Sequence, residues 1–325
     1  MRLIDKPVSS SAQLSNSRGK LLGLMGGSIV ALVTPMRGGQ LDRAALSRLC
    51  KRQIERGTSA LLVCGSTGEG SALSVTEQAG VIAAAVEAAE TWPVIAECGA
   101  AATEAATAFA ISAARHGASA LLCAPPPYSR PTQEGVMAHI RAVAYASDLP
   151  VILYDIPGRT GVAITDETIA SLFECGLIVA VKDASGDLSR PVRLRALCGG
   201  DLVQFGGDDA TAAAHLAMGG HGCISITANV SPALCARMHQ AWDAGDLDEF
   251  GRVRDQLSPL HQAMFHESNP IPVKAALSLA GLCDAELRLP LTRATQATFE
   301  HLARLLPALL TAEEEANGPR LSLVM

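Results

Sequence analysis

Lys182 ends an apolar run, Leu177-Ile178-Val179-Ala180-Val181, and Asp183-Ala184-Ser185-Gly186 follows at once, the pattern of a strand that stops at a turn. The chain has five lysines (Lys6, Lys20, Lys51, Lys182 and Lys274), and this one stands at the mouth of a buried run. Burial disfavours the ammonium form, and a lysine held as the free amine is a nucleophile that forms a Schiff base with a carbonyl compound. A strand-end lysine that reaches back to water would look the same in isolation. Its companions therefore matter. Tyr154 ends a second run and precedes Asp155-Ile156-Pro157-Gly158-Arg159-Thr160-Gly161, a turn that projects an arginine. A phenol can pass a proton to and from a Schiff-base intermediate, and a guanidinium can grip a carboxylate with two parallel hydrogen bonds, although an arginine in a loop more often serves a surface ion pair. Gly65-Ser66-Thr67-Gly68-Glu69 offers two hydroxyls and glycine-freed backbone N–H groups, enough to hold a carboxylate, or simply a strand-to-helix turn. Pro125-Pro126-Pro127 stiffens the loop before Tyr128 and fixes where that phenol points, whether to pack or to react.

These residues need elements to hold them. From Ile29 onward short apolar runs alternate with longer amphipathic segments, and the runs 29–33, 60–64, 94–98, 120–123, 151–154, 177–182, 202–205 and 223–226 read as strands. Helix starts are signalled at Asp42, Thr76, Thr103, Thr132 and Thr165, each a capping side chain ahead of first-turn residues. Strands apolar on both faces and separated by helices imply a parallel sheet, and this many βα units predict an α/β fold, a (β/α)8 TIM barrel. Active sites of such barrels lie at the C-terminal strand ends, which is where Ser66, Thr67, Tyr128, Tyr154, Lys182 and Gly207 fall. The expected organisation is a disordered N-terminal arm over 1–27, the barrel over 28–230, the last barrel helix with a C-terminal helical extension over 231–310, and a tail over 311–325.

Composition limits the alternatives. With 325 residues, 49% of them hydrophobic, the chain can bury one large core. A net charge of −6 and no Lys/Arg cluster interleaved with aromatics argue against nucleic acid as a partner. No apolar stretch is long enough for a membrane span. The 9 cysteines are scattered without a C-x-x-C pair and read as reduced core residues of a cytoplasmic protein. The 8 histidines show neither H-x-H nor H-E-x-x-H spacing, so no metal site is expected, and no glycine-rich nucleotide loop is present, so no cofactor is expected either.

Taken together, Gly27-Ser28-Ile29-Val30-Ala31-Leu32-Val33-Thr34-Pro35, Gly65 to Glu69, Tyr128 to Gly135, Tyr154 to Gly161, Val181 to Gly186, Gly219 to Asn229 and Asn269-Pro270-Ile271-Pro272-Val273-Lys274 occur in one order. In that order they make the chain resemble the dihydrodipicolinate synthase branch of the pyruvate-dependent class I aldolases, over roughly residues 27–310. The resemblance implies that Lys182 forms a covalent imine with pyruvate, without a separate cofactor. The derived enamine would attack L-aspartate 4-semialdehyde to give 4-hydroxy-tetrahydrodipicolinate, on the route to lysine and diaminopimelate. It further implies that Tyr154 transfers protons, linked through Ser66 to Tyr128, and that Tyr128 comes from the neighbouring subunit of a homotetramer built from dimers. Thr67 would hold the pyruvate carboxylate and Arg159 that of the semialdehyde, and the backbone near Gly207 and Ile224 would line the pocket. Ser66 stands where synthases usually have threonine, and Pro127 where many have a second tyrosine. Two other readings stay open: a pyruvate-dependent aldolase or lyase acting on a sugar acid or keto acid, and a paralogue that binds a keto acid without turnover.

Overall fold

The structure is a computed structural model and describes residues 26–317. The expected apolar runs become the strands of one closed parallel barrel: β1 (Gly27–Ala31), β2 (Ala60–Val63), β3 (Val94–Glu97), β4 (Ala120–Cys123), β5 (Val151–Asp155), β6 (Ala180–Asp183), β7 (Val203–Gly206) and β8 (Gly222–Ser225). Each strand pairs with its neighbours in sequence, and β8 closes the circle on β1, with Gly27 opposite Gly222 and Val30 opposite Ser225. A Cβ at Gly222 would lie 2.3 Å from the Gly27 carbonyl oxygen, so this seam needs glycine.

Strand alternation sorts the apolar residues into two layers. Ile29, Leu62, Ile95, Leu122, Ile152, Phe205 and Ile224 fill the barrel interior, whereas Val30, Leu61, Val94, Leu121, Leu153 and Val181 pack outward beneath the helices. Because both faces are buried, the strands read as unbroken apolar runs. That same property blurs their ends. Leu177 and Ile178 are buried but precede β6, and Leu177 N–H closes the preceding helix on the Leu172 carbonyl at 3.0 Å. Beyond β1, Val33 N–H donates to the Asn229 side chain at 3.1 Å instead of to a strand.

The helices longer than one turn are α1 (Arg43–Glu55), α2 (Val75–Ala89), α3 (Thr103–Arg115), α4 (Gln133–Ala146), α5 (Asp166–Glu174), α6 (Arg190–Cys198), α7 (Ala212–Ala217), α8 (Pro232–Asp243), α9 (Leu247–Ala263), α10 (Ile271–Leu279) and α11 (Gln296–Ala316). Asp42, Thr132 and Thr165 cap α1, α4 and α5 as expected. Two caps differ. Ser74 caps α2 in place of Thr76, because it stands three residues before Glu77 and can complete a reciprocal capping box. Thr103 is already the first residue of α3, and its hydroxyl meets His139 Nδ1 at 2.9 Å.

Helices α8 to α11 confirm the C-terminal helical extension, interrupted over residues 280–295. In that interval Glu286 accepts from Gly38 N–H at 2.7 Å, while Arg288 bonds both Glu77 and the Gly39 carbonyl. The extension is thereby tied back onto the first half of the barrel. The expected domain limits shift at both ends. The arm over 1–27 lies outside the described residues except for its last two, and Gly27 already begins β1. The tail expected from Thr311 is helical through Ala316. Glu313-Glu314-Glu315 reads as a solvated charge run, yet Glu313 is fully buried and accepts from Ala233 N–H at 2.9 Å and Leu234 N–H at 3.0 Å, at the start of α8. Arg56 bonds it at 3.0 Å. A carboxylate placed on helix N-terminal N–H groups and an arginine is fully partnered, which is why it can be buried.

Glu313→Ala leaves those N–H groups without their acceptor and Arg56 with Glu314 alone. The expected loss is about 3 kcal/mol, read as a lower midpoint in chemical denaturation. An unchanged midpoint would mean that the end of α11 contributes nothing to the fold.

Candidate active site

The centre of the site is set by register. Tyr154 on β5 is paired with Lys182 on β6, and Asp155 with Asp183 one step further. Alternation turns the first pair inward and the second outward. Outside the barrel, Arg190 at the start of α6 bonds Asp155 at 2.6 Å, Asp183 at 3.4 Å and Asp166 at 2.9 Å, with its side chain 5% exposed. Inside, the Lys182 Nζ lies 4.2 Å from the Tyr154 ring centroid, and both residues are buried. Burial lowers the Lys182 ammonium to about 8, opposed by the negative charges of Glu97 and Asp209. Burial raises the Tyr154 phenol above its ordinary value, with Glu97 adding to the effect and Arg159 opposing it. At neutral pH the phenol is therefore a donor that keeps its proton, and the amine is close to losing one.

A cavity of about 570 Å3 opens above this pair. Its wall includes Ser66, Thr67, Tyr154, Arg159, Lys182 and Gly207. The Ser66-Thr67 segment is held from three sides. Thr34 donates to the Gly68 carbonyl at 2.6 Å, Asn269 donates to the Thr67 hydroxyl at 3.0 Å, and Glu69 forms a buried ion pair with Lys274. Arg159 reaches the cavity from the short turn after β5 and donates to the Asn269 carbonyl at 3.2 Å. Gly207 N–H bonds the Asp183 carbonyl at 2.7 Å, and a Cβ at Gly207 would lie 2.9 Å from that of Ala184, so a glycine lets the β7 loop close on the end of β6. A buried nucleophile, a phenol, two hydroxyls and a guanidinium around one cavity suit a substrate with a ketone and a carboxylate, and a second with its own anionic group.

Two expected site residues stand apart from this cavity. Ile224 lies in the barrel interior, and Ile226, two residues on, takes its place in the wall, because β8 ends at Ser225 and the chain turns toward the cavity. Tyr128 is 97% exposed, on the loop after β4, with a left-handed backbone at φ 72°. Within one chain it is not part of the wall.

The sequence reading also left groups unassigned. Asn269, His261, Gln262 and Phe265 from the extension complete the wall. Asn269 lay within a quoted motif, but that it orients Thr67 and Arg159 could not be read from spacing. Glu97, at the end of β3, was counted as part of an apolar run; an acid in the inward phase of such a run is the signal that marks it. Among the described residues no three or more His, Cys, Asp or Glu side chains come together as a metal site needs, and no helix is long and apolar enough to cross a membrane.

Comparison with known proteins agrees with this geometry. The model of the dihydrodipicolinate synthetase family matches residues 24–309. The 4-hydroxy-tetrahydrodipicolinate synthases of Rhodospirillum centenum and Parvibaculum lavamentivorans are 50% and 47% identical, over 84% and 83% of this chain and 94% of each relative. Among solved structures, the Thermotoga maritima dihydrodipicolinate synthase superposes with a TM-score of 0.85 at 35% identity, covering 88% of this chain and 99% of its own. The chloride-inhibited synthase of Acinetobacter baumannii, solved with pyruvate, gives 0.85 at 39% identity with the same coverage. A monomeric dihydrodipicolinate synthase variant gives 0.86 at 34%, over 88% of this chain and 97% of its own. The chain belongs to the dihydrodipicolinate synthetase family.

Proposed function

We propose that this chain is a 4-hydroxy-tetrahydrodipicolinate synthase that condenses pyruvate with L-aspartate 4-semialdehyde through an imine on Lys182. The observation that carries the reading is the Lys182 amine, buried against the Tyr154 ring at the floor of the cavity and lowered to about 8. Its lone pair attacks the pyruvate ketone carbon. Loss of water gives the imine, and loss of a methyl proton gives the enamine, whose carbon attacks the semialdehyde aldehyde. Tyr154 donates to the developing oxygen and takes the proton back, with the Ser66 hydroxyl beside it on the wall. Thr67, oriented by Asn269, holds the pyruvate carboxylate, and the Gly207 loop lines the opposite wall. Arg159 grips the carboxylate of the second substrate. That guanidinium favours an anionic aldehyde over a polyhydroxylated one, which would need hydroxyl partners instead. No cofactor is required, since the iminium formed on Lys182 takes up the electron pair released with the methyl proton. The setting is cytoplasmic, and the product feeds lysine and diaminopimelate synthesis.

Tyr128 belongs, in this reading, to the site of a neighbouring subunit in a homotetramer built from dimers. Its side chain is 97% exposed, and the backbone of both Tyr128 and Arg130 is left-handed, at φ 72° and 46°, a conformation that L-residues adopt at a cost. A strained loop that presents a bare phenol to solvent suits a group whose partner lies on another chain.

Borohydride reduction in the presence of pyruvate is expected to fix the adduct on the peptide carrying Lys182, and Lys182→Ala to lower turnover by on the order of 10^3-fold or more. Label on another lysine with activity lost would overturn the mechanism. Arg159→Ala is expected to cost about 2 to 4 kcal/mol in kcat/KM for the semialdehyde while pyruvate trapping continues. Equal losses in both assays would make Arg159 structural. Mixed oligomers of Tyr128→Phe and Lys182→Ala subunits are expected to regain part of the activity, because some sites receive both intact groups. No recovery under demonstrated subunit exchange would place Tyr128 in its own subunit's site or outside catalysis.

A further inference from the structure

We propose that Glu97, the last residue of β3, is the counter-charge of the Lys182 amine and a positioning residue for imine formation, an inference that rests on the pyruvate reading above. Ile95 points into the barrel interior, so Glu97, two residues on, has the same phase at the catalytic end of the strand. Its Oε2 is enclosed and has no hydrogen-bond partner among the described residues. A Cβ at Gly65 would lie 2.9 Å from that oxygen, and one at Gly99 3.6 Å from Oε1. Gly65 is part of the cavity wall and Glu97 is not, so the carboxylate sits behind the wall, in space that only a glycine leaves open.

Around it the interior is apolar, and a carboxylate there requires an opposite charge. The charged and titratable groups whose fields reach Glu97 are Lys182 on β6, Tyr154 on β5 and Arg159 after β5, with the thiols of Cys123 on β4, Cys64 after β2 and Cys98 after β3 on the outer side of the barrel wall, and the Ser66 backbone N–H donates to it. The Tyr154 ring lies against Lys182, and the charges whose fields reach its amine are those of Glu97, Cys223 on β8, Asp209 after β7 and Arg159. Of the two carboxylates, Asp209 is already occupied. It accepts from Ile226 N–H at 2.8 Å, Thr227 N–H at 3.1 Å and the Ser225 hydroxyl. Glu97 is the one with an oxygen to spare. Burial lifts its carboxyl to about 7, opposed first by the Lys182 charge.

The chemistry gives such a group a role. When the amine attacks, the N–C bond forms and the ketone C–O bond breaks. One amine proton stays on nitrogen, and the other leaves in water together with one proton supplied by the site. A neutral amine has then become an iminium cation inside an apolar barrel. If Glu97 is protonated before the step and ionised after it, the proton it gives up is the site's proton that leaves in the water, and the enclosed charge is zero in both states: carboxylic acid with amine, then carboxylate with iminium. Glu97 does not touch the substrate. It acts through the charge on the Lys182 nitrogen.

The test compares wild type with Glu97→Gln, Glu97→Met and Glu97→Asp in the full-length protein. Methionine suits the apolar interior should glutamine not fold. Reductive methylation of Lys182 by formaldehyde and cyanoborohydride, followed by peptide mass across the neutral pH range, reads the amine's protonation without pyruvate. Removal of the negative charge favours the free amine, so the neutral variants are expected to move the midpoint down by roughly one pH unit, the usual scale for a nearby charge, while aspartate keeps it near the wild-type value. Pyruvate trapping should at the same time fall several-fold in yield in the neutral variants, because the iminium has lost its counter-charge. A wild-type midpoint in a folded neutral variant would overturn the proposal. Normal methylation with no pyruvate adduct in the wild type would overturn the pyruvate reading and leave the charge pairing of Glu97 with the amine to the midpoint comparison, which supports or sinks it alone.

Discussion

The site depends on the pairing of β5 with β6. In a parallel ladder, paired residues share a face, so one register places Tyr154 beside Lys182 inside and Asp155 beside Asp183 outside. Arg190 bonds both aspartates and thereby holds the register from the helix layer. A slip of β6 by one residue would turn Asp183 into the barrel beside Tyr154 and put Lys182 under a helix. The outer ion pairs and the inner chemistry are two faces of the same constraint.

Around that pair the barrel supplies desolvation and the loops supply polarity. Apolar side chains from every strand enclose the amine and lower its proton affinity, an effect no single neighbour produces. Apart from the Tyr154 phenol on β5, hydroxyls and backbone N–H groups arrive on segments beyond the strand ends, where chain direction can change. The extension after α8 finishes the arrangement. Asn269 links the Thr67 hydroxyl to Arg159, and Lys274 with Glu69 fixes the loop that carries Ser66 and Thr67. The C-terminal helices are thus part of the site's support, and Glu313 anchors them to the start of α8.

Much of this was legible in the sequence. Strands buried on both faces leave unbroken apolar runs, so the eight-strand barrel could be read, together with the strand-end positions of Lys182 and Tyr154. The same uniformity hid the strand limits at Leu177 and Val33, since burial and pairing give one signal. Long-range partners left none. The burial of Glu313 depends on α8, some eighty residues away, and locally its segment is indistinguishable from a solvated acidic end. Glu97 was hidden differently, as one acid at the end of an apolar run, and only its phase with Ile95 reveals which way it faces. Ile224 was named through the family resemblance and not from the pattern; β8 ends at Ser225, and it is Ile226, one residue beyond, that lines the wall.

The central claim is that the Lys182 amine is the group that bonds to pyruvate. A crystal structure of the protein soaked with pyruvate tests it directly. Continuous density from Lys182 Nζ to the ketone carbon is expected, with the Tyr154 hydroxyl beside the new bond and the carboxylate at Thr67. Pyruvate bound without a covalent link, or joined to any other residue, would contradict it.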